Sequence, residues 1–418
     1  MSASPPPAPS GPVTATPPAI GPTLVRLVGA KTVANTALRW LPLFLPTLEP
    51  AFSATTTQLT TVLGAGELAG LSTVASGSRL DRGRERLVLL SSMGLLTAST
   101  LIALVGTLTS FAVSFFVLVL AVSNYTVAGQ TWISHRVGYA RRARALGLYE
   151  TSWALALLVG APIVAVLINV FGWRGPFVAL AAASAVATVV IASTLPRWVS
   201  AEPEIVIESA PHVGGEQAGA VRSPKRAPIT VRAWLVMTGS AATAMAGLGV
   251  FVVSGSWLDD AFGIPTSGIG AVAVGFGAAE LVSSLASAGL ADRVGKLRST
   301  IAGLLLLLVG LAVMVSADTR VVVGIIGILT FLLGFEYAFV TSLSLVSEAM
   351  PDARGTTLAV SNAVGTIARA AGAVGSGWLY SAHGITGTAT MSALCAVAAI
   401  GCLVLSRRSP VRRSSRLR

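Results

Sequence analysis

Charge is what this sequence has least of. Asp, Glu, Lys and Arg make up 11% of its 418 residues, where a soluble chain of this length carries about 25%. That deficit argues against an ordinary water-soluble domain. Histidine and cysteine are scarcer still, at three and two. His135, His212 and His383 fall in separate predicted loops, and no H-E-x-x-H or G-x-S-x-G pattern occurs. A hydrolytic metal centre or a nucleophile–base pair therefore has no sequence footing. The reading is of a protein that is not an enzyme and takes no metal or organic cofactor. Cys395 and Cys402 lie seven residues apart on one predicted helix, about 10.5 Å and too far for a disulfide.

Long apolar runs fill the space that charge leaves. Hydrophobic residues make up 53% of the chain, and between Leu87 and Ser134 there is no charged side chain. The only break in that run is the polar turn Gly106–Ser110. A helix crossing a bilayer needs roughly 20 mostly apolar residues. The same test along the chain predicts twelve spans, at 24–48, 57–77, 87–106, 110–132, 148–170, 175–195, 233–257, 268–288, 299–317, 321–346, 356–379 and 386–405. Within lipid the backbone must satisfy its own hydrogen bonds. The spans lack strand-type alternation, so they read as helices of an all-α integral membrane protein.

Orientation follows from the basic residues. Of 29 Lys and Arg, all but six fall in loops and tails on one side. Arg174 and Arg320 lie on the other, and Arg26, Lys31, Arg39 and Arg369 within or at the edges of spans. This positive-inside asymmetry predicts that both termini are cytoplasmic. It also accounts for the net charge of +12 without nucleic acid. The basic tail 407–418 reads as a topology anchor within reach of anionic headgroups, each basic residue contributing about 1 kcal/mol near such a surface. The first 22 residues hold eight prolines and no charge, a composition that predicts disorder. Residues 197–231 form a Pro-, Gly- and Glu-containing linker between two bundles of six helices, 23–196 and 232–406.

The two bundles look duplicated. Asp81 recurs as Asp292, Glu67 of "GAGEL" as Glu280 of "GAAEL", and Arg144 of "RARAL" as Arg354 of "DARGT", all at nearly one spacing. A parallel repeat of six helices is a plan used by secondary transporters.

At this point the residues resemble a family. "AGLADRVGK" (Ala288–Lys296) and "GSRLDRGRER" (Gly77–Arg86) resemble the loop signature G-x-L-A-D-R-x-G-R/K of the major facilitator superfamily. "RARALGLYETSWALALLVGAP" (Arg142–Pro162) and "GWRGPF" (Gly172–Phe177) are similar to the fifth-helix region of bacterial twelve-helix drug/proton antiporters. Two family features depart: the fifth-helix motif survives only as "GAP" (Gly160–Pro162), and Ser123–Gly129 has no basic residue.

The resemblance implies a fold of twelve transmembrane helices in two pseudo-symmetric six-helix bundles. It also implies that the two loop copies, Gly77, Asp81, Arg82, Gly83 and Arg84 with Asp292, Arg293, Gly295 and Lys296, latch the halves in one conformational state. Spans 1, 4, 7 and 10 would line the cavity, setting Arg39 against Glu336, while spans 2 and 11 would bring Glu67 near Arg369. A charged residue at the centre of a span costs about 2.5–3.5 kcal/mol on insertion scales, so each of these marks function or a partner, as does Glu280 in span 8. Asn124, Tyr125 and Gln130 of span 4 are read either as polar cavity contacts or as helix–helix hydrogen bonds. Pro42 and Pro46 are expected to bend span 1. The expected activity is proton-driven efflux of a small molecule across the plasma membrane by a monomer. Proton-coupled uptake or facilitated diffusion is the alternative, and a channel or receptor is a distant third.

The topology is directly testable. In a background lacking Cys395 and Cys402, cysteines at Ser209 and Asp318 should react from opposite sides of the membrane. Labelling of Ser209→Cys in intact cells by an impermeant reagent would overturn the predicted orientation.

Overall fold

Proline decides how the first span is built. In this computed structural model, which describes residues 20–195, 229–350 and 354–408, α1 (Ile20–Leu43) stops just after Pro42. Phe44 leaves helical geometry at φ −110°, ψ 29°, and α2 (Leu45–Phe52) resumes with Pro46 in its first turn. Neither proline can donate the backbone hydrogen bond a continuous helix needs there. The break expected from Pro42 and Pro46 is therefore present, and it lets one bent span run on to Phe52.

Span 2 is also segmented. α3 (Thr56–Glu67) opens with a reciprocal cap between Thr55 and Gln58, passes through a 3₁₀ turn at Leu68–Ser72 and continues as α4 (Thr73–Leu80). The remaining spans of the first half are α5 (Glu85–Ala103), α6 (Leu108–Arg136), α7 (Tyr139–Leu155) with α8 (Ala161–Phe171), and α9 (Arg174–Thr194). Between α7 and α8 the span widens into a π-turn, Ala156–Gly160.

The second half comprises α10 (Val231–Phe262), α11 (Thr266–Val294), α12 (Lys296–Val315), α13 (Val321–Ala349) and the long run α14 (Arg354–Arg408). α14 holds two spans. Gly384, at φ 61° and ψ −155°, breaks it, and the arms fold back so that Thr388 Oγ1 donates to the Ser376 carbonyl at 3.3 Å.

Among the described residues, nine helices are long and apolar enough to cross a membrane, α14 counting once for spans 11 and 12. Spans 1 and 2 complete the twelve as broken helices. The expected tail 1–22 lies almost wholly outside the described residues, as do most of the linker and the basic tail beyond Arg408.

The halves touch where side chains are smallest. A Cβ on Gly64 would come within 2.6 Å of the Ala370 carbonyl oxygen, and one on Gly277 within 2.7 Å of the Leu158 backbone nitrogen. Gly255 lies so close to the Leu43 carbonyl, beside the kink, that any side chain there would overlap it. All three contacts lie at mid-membrane or toward the face opposite the basic loops. Toward the basic-loop face, Cβ atoms on Gly77, Gly147 and Gly289 would meet no described atom within 4 Å. Among these glycines, the close approaches between the halves all lie away from the basic-loop face.

Thr60 is fully buried against Gly377 within that closed contact. Gly64→Val should weaken the closure by about 1–3 kcal/mol through overpacking. The readout is faster thiol modification of a cysteine placed at Thr60. An unchanged rate would mean that this contact does not hold the face shut.

Candidate substrate and proton site

Lys31, Asn35 and Arg39 are spaced by four residues, so they form one stripe on α1. All three are buried, and each meets α7. Lys31 Nζ donates to Glu150 Oε2 at 2.6 Å, Asn35 Nδ2 to Ser152 Oγ at 3.2 Å, and Arg39 Nη1 to the Trp153 carbonyl at 2.9 Å. Lys31 also sits 4.1 Å from the centroid of the Tyr149 ring. Spans 1 and 5 are thereby fastened along their inner length, and Gly160 in the π-turn packs against Thr36 at the same seam.

Arg39 reaches further. Its guanidinium grips Glu280 of α11 with both terminal nitrogens, Nη1 to Oε2 at 2.6 Å and Nη2 to Oε1. The two side chains are only 6% and 3% exposed. Rings of Trp153 and Phe251 flank the guanidinium, their centroids 4.3 and 5.4 Å from Cζ. A planar fork matches carboxylate geometry and stacks on aromatic faces, so arginine suits this position in a way lysine would not.

This pairing corrects the expectation that Arg39 faces Glu336. The cause is steric: Gly277, one turn before Glu280, lets α11 press against the backbone of Ala154 and Leu158, which carries Glu280 to the arginine. Glu336 on α13 is 8% exposed and within electrostatic reach of both Glu280 and Arg39. Its carboxyl group makes no hydrogen bond among the described residues. A second bridge between the halves joins Arg369 Nε to Glu67 Oε2 at 3.1 Å, as anticipated.

Asn124 and Tyr125 are helix fasteners rather than cavity contacts. Asn124 Nδ2 donates to Ser72 Oγ at 2.9 Å, and Tyr125, fully buried, donates to the Leu27 carbonyl at 3.2 Å. Gln130 contributes differently, donating to Glu150 Oε1 at 2.9 Å. Asp81, Arg82 and Arg84 are exposed, Gly83 turns the loop at φ 71°, and none of the four has a cross-half partner among the described residues. Arg293 and Gly295 are likewise exposed, Lys296 pairs with Glu348, and the Asp292 side chain lies outside the described set.

Lys31 and Glu150 were missed as a site because both sit near predicted span ends. The signal was the i, i+4, i+8 spacing of Lys31, Asn35 and Arg39. Glu85 was missed too: it is almost wholly buried, with His135 Nδ1 at 2.6 Å and Arg136 Nη1 at 3.6 Å.

Twelve spans in two halves, with ion pairs crossing between them inside the bilayer, define a secondary transporter of the membrane. The sequence profile of the Major Facilitator Superfamily matches residues 28–373 and 237–418, and the chain belongs to that family. It is 25% identical over 308 residues to an uncharacterised transporter of the same type, YceJ of Bacillus subtilis (strain 168), covering 73% of this chain and 75% of that one. A bacterial homologue of the human lysosomal transporter Spinster, crystallised inward-facing and occupied, shares the fold at TM-score 0.73 and 14% identity, over 94% of this chain and 98% of that one. A D-xylose–proton symporter matches at TM-score 0.73 and 16% identity, over 91% and 97%.

Breaking one side of a buried pair leaves an uncompensated charge, at a cost of about 3–5 kcal/mol. Arg39→Met should therefore lower thermal stability sharply, and adding Glu280→Leu should recover most of the loss. Equal stabilities of the single and double variants would show that the pair is not coupled.

Proposed function

We propose that this protein exports a small molecule across the plasma membrane by alternating access, driven by inward movement of protons. One observation carries the reading. Within the spans, Lys31, Arg39 and Arg369 neutralise Glu150, Glu280 and Glu67, and Glu336 is left over, buried and without a hydrogen-bond partner among the described residues. A lone carboxylate in a water-poor site must be neutralised, by a proton or by a cation.

Alternation then supplies the coupling. With the basic-loop face taken as cytoplasmic, the glycine contacts seal the outer side in the present arrangement. Opening the outer face carries Arg39, on the first half, away from Glu280 and Glu336, on the second. Glu280 then loses its cation, and Glu336, no longer within reach of Arg39, takes up a proton from outside. Closure returns Arg39 to Glu280 and within reach of Glu336, whose proton leaves inward, and substrate is carried outward in the next cycle. In the outward-open state the loops at Asp81 and Asp292 meet the facing half and hold the cytoplasmic side shut.

The test is flux in inverted vesicles with an acidic lumen, across a small panel of compounds. Wild-type protein should accumulate substrate, whereas Glu336→Gln should lose accumulation yet retain substrate exchange. Accumulation by Glu336→Gln under a proton gradient alone would overturn its role as the essential carrier. Wild-type accumulation only in right-side-out vesicles with acid outside would favour proton-coupled uptake.

A further inference from the structure

A cation-rich recess lies in the second half, away from the charged core. At the basic-loop face, the first turn of α10, the first turn of α12, the last turns of α13 and the end of α14 surround a hollow of about 80 Å³. Its walls include Arg232, Leu297, Glu348, Ser406 and Arg407. It adjoins a wider, solvent-facing hollow of about 450 Å³ that shares Leu297, Glu348 and Arg407 and adds Lys296 and Arg298. Four cations face one carboxylate, and Lys296 already occupies that carboxylate. Arg232, Arg298 and Arg407 are exposed and make no hydrogen bond or ion pair among the described residues.

Depth gives this cluster its meaning. Trp234, two residues beyond Arg232, is 45% exposed and Val231 is 71% exposed, a pairing of aromatic and basic groups that marks the boundary between lipid tails and headgroups. The inner floor is apolar: Val236 and Leu345 line the smaller hollow together with the buried Ser406. A charged mouth over an apolar floor fits an anion that also carries hydrocarbon. The smaller hollow has room for two or three waters, at about 30 Å³ each, which is the scale of one phosphate group.

We propose that this recess binds a phosphate-bearing anion, its phosphate held by Arg232 and Arg407. A phospholipid headgroup of the surrounding leaflet and a free phosphate ester share that chemistry, and the hydrocarbon-facing floor favours the lipid. Occupancy would tie α10 to the end of α14, and so brace the second half at its basic-loop face.

The experiment uses purified full-length protein. Thermal stability is measured in detergent with added short-chain phosphatidylglycerol, phosphatidylcholine or glycerol phosphate. Phosphatidylglycerol should stabilise and phosphatidylcholine should not. Arg232→Gln with Arg407→Gln should weaken the phosphatidylglycerol response by roughly fivefold in concentration per arginine removed. Arg141→Gln with Arg144→Gln, an equal charge loss on the other half, should leave it within about twofold. Glu348→Gln should move it the opposite way, tightening the response by removing the one competing carboxylate. That variant keeps the test decisive if the double arginine variant is poorly folded. Stabilisation by glycerol phosphate as well, lost in the same variants, would assign the site to a soluble ester. An equal loss in both double variants, or no difference between the two lipids, would overturn the site altogether.

Discussion

The structure depends on one guanidinium. Arg39 is held by a carboxylate of the opposite half, a backbone carbonyl of span 5 and two aromatic rings, and the ion pair itself is buried. Four spans from both halves meet at that point. Helix association inside a membrane lacks the hydrophobic drive that assembles soluble domains, so close packing and polar contacts must hold it. Arg39 and Glu280 provide such a contact, and neither ion is tolerable there without the other.

Small residues make that contact reachable. Gly277 and Gly64 remove the side chains that would keep the halves a layer apart, and Gly255 receives the backbone exposed at the proline kink. Toward the basic loops the same chain places glycines with nothing against them, and its arginines lie exposed there. This division is consistent with a molecule closed at one end: the charged loops repel the facing half unless a specific set of contacts forms, whereas the opposite end is sealed by backbone approach.

Much of this was legible in the sequence. Twelve apolar runs of sufficient length leave few architectures once the backbone must satisfy itself in lipid, and the repeat of Glu67, Asp81 and Arg144 as Glu280, Asp292 and Arg354 revealed the duplication. The pair Glu67–Arg369 was legible because each is a lone charge in its span and spans 2 and 11 adjoin in the family arrangement. The pairing of Arg39 was not. Sequence gives depth along a helix, but choosing between Glu280 and Glu336 required knowing how far α11 advances onto span 5, and Gly277 decides that. For Tyr125 the sequence left a cavity contact and a helix–helix hydrogen bond both open, and its hydroxyl donates to the Leu27 carbonyl.

The kink and the ion pair belong to one moving part. Leu43, which Gly255 covers, lies four residues beyond Arg39, about one helical turn and roughly 6 Å along the axis. Both contacts join span 1 to the second half. A displacement that lifts span 1 away at the closed face therefore loads both together, and neither can be released alone by a rigid α1. Water entering the gap would rehydrate Arg39 and Glu280 as they part, offsetting much of the cost of separating them. On the proposed mechanism, the charge that makes the closed state specific is also what keeps the open state affordable, because both ions become wet at the moment they lose each other.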